Sequence, residues 1–190
     1  MLKITGGRLR GRALKTPPGL GTRPTGAKMR QALFNILGPR VEGSRVADLY
    51  AGSGALGLEA LSRGAASVCF VESSRPVAKL IQANLDALGL AQAGRVHAAG
   101  LPAAVEALKA AAPFDLVLAD PPYGKGQVAR LVELAAQGWL LAADGLLLIE
   151  HSPQEAPQAP VGLEIVDHRR YGQSELSFLA SSSDSRGDGT

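Results

Sequence analysis

The stretch Asp48-Leu49-Tyr50-Ala51-Gly52-Ser53-Gly54 decides the fold. It closes the short apolar run that begins at Val46 and leads into Ala55-Leu56-Gly57-Leu58, which has the composition of a helix. A strand, a glycine-rich turn and a helix in that order form the ligand-cradling corner of a doubly wound α/β sheet. Glycines let the backbone turn sharply and approach a ligand with no Cβ in the way. Glu72 follows twenty residues after Gly52, at the end of the next apolar run, where a carboxylate can accept both hydroxyls of a ribose.

So far the pattern also fits a dinucleotide fingerprint, G-x-G-x-x-G followed by an acid. Asp48 separates the two readings. An acid beside the loop suits S-adenosylmethionine, whose ammonium needs a nearby carboxylate or an ordered water, whereas it would repel a pyrophosphate. Asp48 can equally be a structural acid that bonds the loop amides, and the two roles are compatible. Glu72 can likewise be no more than a surface acid at a strand end.

Outward from the loop, strand and helix patterns alternate. Strands are expected at 46–50, 67–72, 95–98, 114–120 and 145–151, and helices at 55–62, 76–88, 102–111 and 127–137. Repeated strand–helix units predict a mostly parallel sheet with helices on both faces. The pattern then changes to a closing hairpin, Leu163–Val166 with Glu175–Leu179, and Arg169-Arg170-Tyr171-Gly172 is expected to connect the two. Upstream, β-like pieces surround residues 3–5 and 12–15. Thr25 reads as the N-cap of a helix carrying Lys28, Met29, Arg30, Leu33, Ile36 and Leu37, stopped by Gly38-Pro39.

Asp120-Pro121-Pro122-Tyr123 ends the most apolar strand, Phe114–Asp120. Two consecutive prolines donate no backbone hydrogen bond and fix the turn. The Asp120 carboxylate and the Pro121 carbonyl can then accept the two N–H bonds of an exocyclic amino group, while Tyr123 stacks on the ring that bears it. An aryl amine is a poor nucleophile because its lone pair is delocalised. Holding both hydrogens on acceptors favours the lone-pair-localised geometry, so positioning and preorganised electrostatics carry the rate. A carboxylate can accept from guanine N1–H and N2–H together, whereas adenine N1 is itself an acceptor, which tilts the reading toward guanine N2. Some DNA adenine methyltransferases nevertheless carry the same four residues.

The 190 residues are long enough for one domain with a real core, which Leu, Val and Ala must build because aromatics are only 4%. No apolar run approaches a membrane span and the start has no signal-peptide stretch, so a cytoplasmic protein is expected. The single cysteine, Cys69, lies in an apolar strand and reads as a small core residue. His97, His151 and His168 have no ligand-like spacing, and no metal is expected. Net charge is +3, but residues 1–45 carry ten Lys/Arg against one acid, Glu42, a local +9, and the remainder is −6. A basic segment on an acidic body is an electrostatic footprint for a polyanion, nucleic acid first.

Gly6-Gly-Arg-Leu-Arg-Gly-Arg12, Arg23-Pro-Thr25, Arg30-Gln-Ala-Leu-Phe-Asn-Ile-Leu37, Asp48–Gly54, Phe70-Val-Glu72 and Asp120–Tyr123 occur in one order along the chain. In this the sequence resembles the bacterial 16S rRNA guanine-N2 methyltransferases of the RsmD type, over residues 1 to about 179. The resemblance implies a class I, seven-stranded, Rossmann-like methyltransferase fold that modifies one guanine of small-subunit rRNA, in an assembling or assembled subunit. By position it implies that Asp48, Tyr50, Ala51, Gly52, Ser53, Gly54 and Glu72, with Ala99 and Gly100, hold S-adenosylmethionine. Asp120, Pro121, Pro122 and Tyr123 would form the catalytic turn, and Arg8, Arg10, Arg12, Arg23, Lys28 and Arg30 would meet RNA. His97-Ala-Ala-Gly100 lacks the acid that often accepts the adenine amino group, so backbone near Ala99 and Gly100 would replace it. The expected organisation is a basic RNA-contacting hairpin and helix over 1–40, a methyltransferase domain over 41–180 and a disordered tail over 181–190, as a monomer. Rival readings are a DNA or other RNA amino-methyltransferase, a protein-glutamine methyltransferase, a nicotinamide-dependent oxidoreductase and a non-catalytic rRNA-binding assembly factor.

Overall fold

The computed structural model describes residues 1–17 and 24–182. Its strands are β1 (Arg45–Leu49), β2 (Ser67–Val71), β3 (Gly94–His97), β4 (Phe114–Ala119), β5 (Leu141–His151), β6 (Leu163–Tyr171) and β7 (Ser174–Ser181). The helices are α1 (Pro24–Leu37), α2 (Ala55–Ser62), α3 (Arg75–Ala87), α4 (Leu101–Ala111) and α5 (Gln127–Ala135). One seven-stranded sheet runs in the order β3-β2-β1-β4-β5-β7-β6. The first five strands are parallel, and β7 enters antiparallel between β5 and β6.

Strand alternation builds a core on each face. Val46, Val68, Phe70, Leu116 and Leu118 pack with Leu58, Leu61, Ile81 and Leu85 of α2 and α3, while Ala47, Leu49, Cys69, Val71 and Val117 pack with Leu108, Leu131 and Val132 of α4 and α5. This two-sided burial is why these strands are apolar throughout. Cys69 is buried as expected, which pushes its thiol up to about 11.

The basic N-terminus is stitched into this core rather than appended to it. Ile4 and Leu14 are buried with Phe34, Leu37, Leu58 and Leu61. Residues 3–5 and 12–15 form one antiparallel bridge, Lys3 with Ala13, instead of a regular hairpin. Leu9 N–H donates to Ser62 Oγ at 3.0 Å, and the Lys15 backbone exchanges two bonds with Asn84. Gly7 adopts φ +71° with Ser62 O at 2.0 Å from where a Cβ would stand, so only glycine lets the arm lie against α2.

Several boundaries differ from the sequence reading; β5, expected from Gly145, begins at Leu141, and α5 ends at Ala135 rather than 137. Helix α1 begins at Pro24, so Thr25 lies inside its first turn rather than capping it, in keeping with proline's fit to a first helical position. Arg169, Arg170 and Tyr171 belong to β6, whose ladder with β7 runs to Tyr171–Ser174 and leaves Gly172 and Gln173 as the turn. Ser181 closes β7 instead of opening a tail. Arg23 and positions 183–190 lie outside the described residues.

Candidate active site

The strand order reverses between β1 and β4, and ligands of open α/β sheets gather at the carboxyl ends of strands at such a point. The register sets Leu49 beside Ala119, so the loops that follow, residues 50–54 and 120–123, leave the sheet side by side.

The three glycines of the run Gly52–Gly57 serve different purposes. Gly52 has φ +52°, and the nearest atom to a Cβ there is 3.9 Å away, so its need is conformational and it leaves space for a ligand. A Cβ on Gly57 would stand 2.3 Å from Phe70, so this glycine lets α2 lie tight on β2. Gly54, at φ +74°, is the left-handed cap of α2. Between them Tyr50 holds φ +58°, unusual for a bulky residue, with its hydroxyl donating to Gln127 Oε1 at 3.1 Å.

Glu72 clamps this loop. Its carboxylate accepts from Gly52 N–H at 2.9 Å and from Ser74 N–H at 2.7 Å. Asp48 acts from beneath. It is 1% exposed, accepts from Gly57 N–H at 2.8 Å, and burial, with smaller contributions from Asp120 and Glu72, pushes its carboxyl up to about 8. A cation bound above it would favour the charged form.

A cleft of about 1410 Å³ opens over both loops. Tyr50, Ser53, Glu72, Ala99 and Gly100 line it from the first-loop side, and Asp120, Pro121, Pro122 and Tyr123 from the second. Asp48, Ala51, Gly52 and Gly54 support the loop without lining the cleft. Tyr123 is tethered by its hydroxyl, which donates to Glu150 Oε1 at 3.2 Å and lies 3.0 Å from Ser174 Oγ. Burial raises its pKa, the Ser174 bond opposes this and the Glu150 charge adds to it. Gly124 N–H donates to Glu155 at 2.6 Å, fixing the turn that follows. Glu150, Ser174 and Glu155 carried no local signal in the sequence, because each meets the turn from 27 to 51 residues away.

Of the cations expected to face RNA, Arg8, Arg10, Arg12 and Lys28 are exposed. Arg30 is not. It is 6% exposed, pairs with the fully buried Glu59 at 3.3 Å and donates to Lys3 O at 2.6 Å. Glu59 also takes Thr5 N–H, Thr5 Oγ1 and Arg63 Nε, so one buried carboxylate ties the arm, α1 and α2 together. Arg30 is therefore a structural residue, not a phosphate contact.

The histidines also require a correction. The hairpin brings His151 and His168 together with Glu175, their ligand-type atoms within 4.8 Å of one another, despite the absence of any ligand-like spacing. Ser177 Oγ bridges the two rings, at 2.8 Å from His151 Nε2 and 3.2 Å from His168 Nδ1. His151 Nδ1 lies 2.8 Å from Ser152 O, and His168 Nε2 is 3.4 Å from Glu175. Protein groups thus satisfy the cluster as it stands. His97 ends β3, half-buried, with its Nε2 buried and unbonded and its pKa lowered mainly by burial.

A sheet in this order with its seventh strand reversed defines a class I methyltransferase, whose cofactor is S-adenosylmethionine. The open space at Gly52 and the buried acid beneath the loop fit such a group. More particularly, the chain belongs to the RsmD-type family described as Conserved hypothetical protein 95, whose model matches residues 2–180. It is 34% identical over 173 residues to Ribosomal RNA small subunit methyltransferase D of Escherichia coli K12, covering 90% of this chain and 86% of that protein. The Haemophilus influenzae protein of the same name is also 34% identical, at 90% and 89% coverage. Among solved structures, yhhF from Escherichia coli superposes with TM-score 0.81 at 33% identity, over 95% of this chain and 98% of that one. A hypothetical protein from Thermus thermophilus gives 0.78 at 31%, over 96% and 100%.

Proposed function

We propose that this protein methylates the exocyclic N2 of one guanine in the 16S rRNA of the small ribosomal subunit, or of an assembly intermediate, as a cytoplasmic monomer. The observation that carries the reading is the placement of Asp120-Pro-Pro-Tyr123 beside the glycine loop in one cleft at the switch point. The names of the Escherichia coli and Haemophilus influenzae relatives support the rRNA part of it.

S-adenosylmethionine, when bound, supplies a methyl group on a positively charged sulfur. Glu72 would take the ribose hydroxyls, Tyr50 and Ser53 would line the methionine end on a loop shaped by Ala51, Gly52 and Gly54, Asp48 would favour its cationic character from below, and Ala99 and Gly100 would meet the adenine. Asp120 and the Pro121 carbonyl hold the two amino hydrogens of the guanine, and Tyr123 covers its ring. The bound cofactor would give up its methyl to the amino nitrogen held by Asp120 and Pro121, the S–C bond breaking as the N–C bond forms. The amine proton then passes to Asp120 or to water, so no strong base is needed beforehand. Arg8, Arg10, Arg12 and Lys28 meet phosphates outside the cleft.

The test is methyl transfer from radiolabelled cofactor to small subunits lacking the modification, with naked 16S rRNA and DNA alongside. Label mapped to one N2-methylguanine is the expected result. Label only on DNA, or on none of these despite tight cofactor binding, overturns the reading. An Asp120→Ala variant that still binds subunits but transfers nothing separates an enzyme from an assembly factor.

A further inference from the structure

The cluster of His151, His168 and Glu175 is separate from the cleft. None of the three lines it, whereas their chain neighbours Glu150 and Ser174 do. Alternation along β5 and β7 therefore turns His151, Glu175 and Ser177 to the opposite face of the sheet. His151 stands in register with Glu175, and His168 of β6 with Ser177, so three adjacent strands bring the group together.

Counting donors and acceptors shows what this cluster lacks. The Ser152 carbonyl can only accept, so His151 Nδ1 carries the hydrogen of the neutral ring, and its Nε2, 2.8 Å from Ser177 Oγ, presents a lone pair. The Ser177 hydroxyl donates its one proton there and so accepts from His168 Nδ1–H at 3.2 Å. What remains is His168 Nε2, a second lone pair, 3.4 Å from Glu175 Oε2. Two acceptors in contact need a cation between them, either a proton on the ring or a metal ion. A ring N–H fixed by a backbone carbonyl is also how a metal-binding histidine is held, its other nitrogen aimed at the ion. Arg170, in register with Glu175, reaches instead to Gly172 O at 3.4 Å, and the one ion pair of Glu175 among the described residues is with His168.

We propose that His151, His168 and Glu175 bind one divalent ion of the zinc type, on the face of the sheet opposite the cleft. Two imidazoles and a carboxylate suit that ion, with water as its fourth ligand. Ligand atoms around a tetrahedral zinc stand about 3.3–3.5 Å apart. Those of the three side chains already lie within 4.8 Å of one another, so the site is completed by Ser177 Oγ turning aside and a closure of about 1–1.5 Å. His151 is fully buried and supplies the rigid side. The His168 side chain is 45% exposed, so it can move and gives the ion a way in. The ion would tie β5, β6 and β7 together next to Ser174, whose hydroxyl meets that of Tyr123.

The experiment titrates the chelator-treated full chain with Zn²⁺ alone, in competition with a chromophoric chelator, and uses Co²⁺ absorption to report on geometry. One ion per chain and a tetrahedral Co²⁺ spectrum are expected. His168→Ala and Glu175→Gln should each weaken binding about tenfold or more, while His97→Ala keeps wild-type affinity. Ser177→Ala removes the hydroxyl that competes for His151 Nε2, so it should bind Zn²⁺ at least as tightly as the wild type. Saturating Zn²⁺ should raise the unfolding temperature of the wild type and leave that of His168→Ala unchanged. Failure to form a one-to-one Zn²⁺ complex at micromolar protein overturns the proposal. So does a complex that His168→Ala and Glu175→Gln leave intact, or one that Ser177→Ala abolishes. None of these readouts depends on methyl transfer, so they stand or fall apart from the guanine reading.

Discussion

At Asp48 a carboxyl group sits 1% exposed beneath the glycine loop, with its pKa pushed from 3.8 up to about 8. The folded chain therefore holds a proton that the unfolded chain releases, and between those two values stability falls as pH rises. Asp48→Asn removes this slope and keeps an acceptor for Gly57 N–H. Its melting temperature should exceed the wild type's at pH 8 by about 2–4 °C for each kcal/mol relieved, and the gap should close toward pH 4. A gap independent of pH would contradict the burial argument. The same variant should bind the cofactor on the order of tenfold more weakly, and should lose the wild-type rise in affinity between pH 6 and 8.

Tyr123 poses a different question at the same scale, since its ring is expected to stack while its hydroxyl is held by Glu150 and Ser174. If the tether orients the ring, Tyr123→Phe and Glu150→Gln should each lower kcat about three- to tenfold while cofactor affinity holds. The double variant should then be no worse than the poorer single one. Fully additive losses in that cycle would mean that Glu150 acts on the substrate independently of the ring.

Among the elements, the helix α2 has the most demands placed on it. Its first turn packs on β2 through Gly57, and its last turn receives the arm through Glu59 and Ser62. Glu59→Gln leaves Arg30 and Arg63 facing a neutral amide in a buried site, and should cost about 3–5 kcal/mol of stability in denaturant unfolding. A loss below about 1 kcal/mol would show that the Lys3 carbonyl satisfies Arg30 without the Glu59 charge. The sequence did reveal α2, the four other helices and the parallel strands, because their apolar period and glycine punctuation are local. It could not reveal Glu59 as a hub, since Gly57-Leu-Glu-Ala60 reads as an ordinary helical surface and its Thr5 partner lies 54 residues away. Arg30 was misread for the same reason, as a charge counted before its burial was known. The placement of the glycine loop beside the Asp120 turn was legible because each is a short motif of consecutive residues at a strand end.

For the molecule as a whole, the arm and the sheet share one hydrophobic core, so residues 1–15 are not a detachable RNA handle. Deleting them removes Ile4 and Leu14 from the cluster with Phe34 and Leu61 and opens the Glu59 site. The shortened chain should lose cooperative thermal unfolding, not merely RNA affinity. A truncated protein that melts within a few degrees of the full chain would show the arm to be separable.

The position of β7 has a consequence of its own in time. It pairs with β5 on one side and β6 on the other, so the sheet closes only when its latest-made strand arrives. A polypeptide emerging N-terminus first leaves β5 with an open apolar edge while roughly thirty further residues are added, a delay of a few seconds at about 5–20 residues per second. Throughout that interval the newborn chain is a template for pairing with its neighbours, and the rate of translation through 152–181 becomes one of the determinants of its yield.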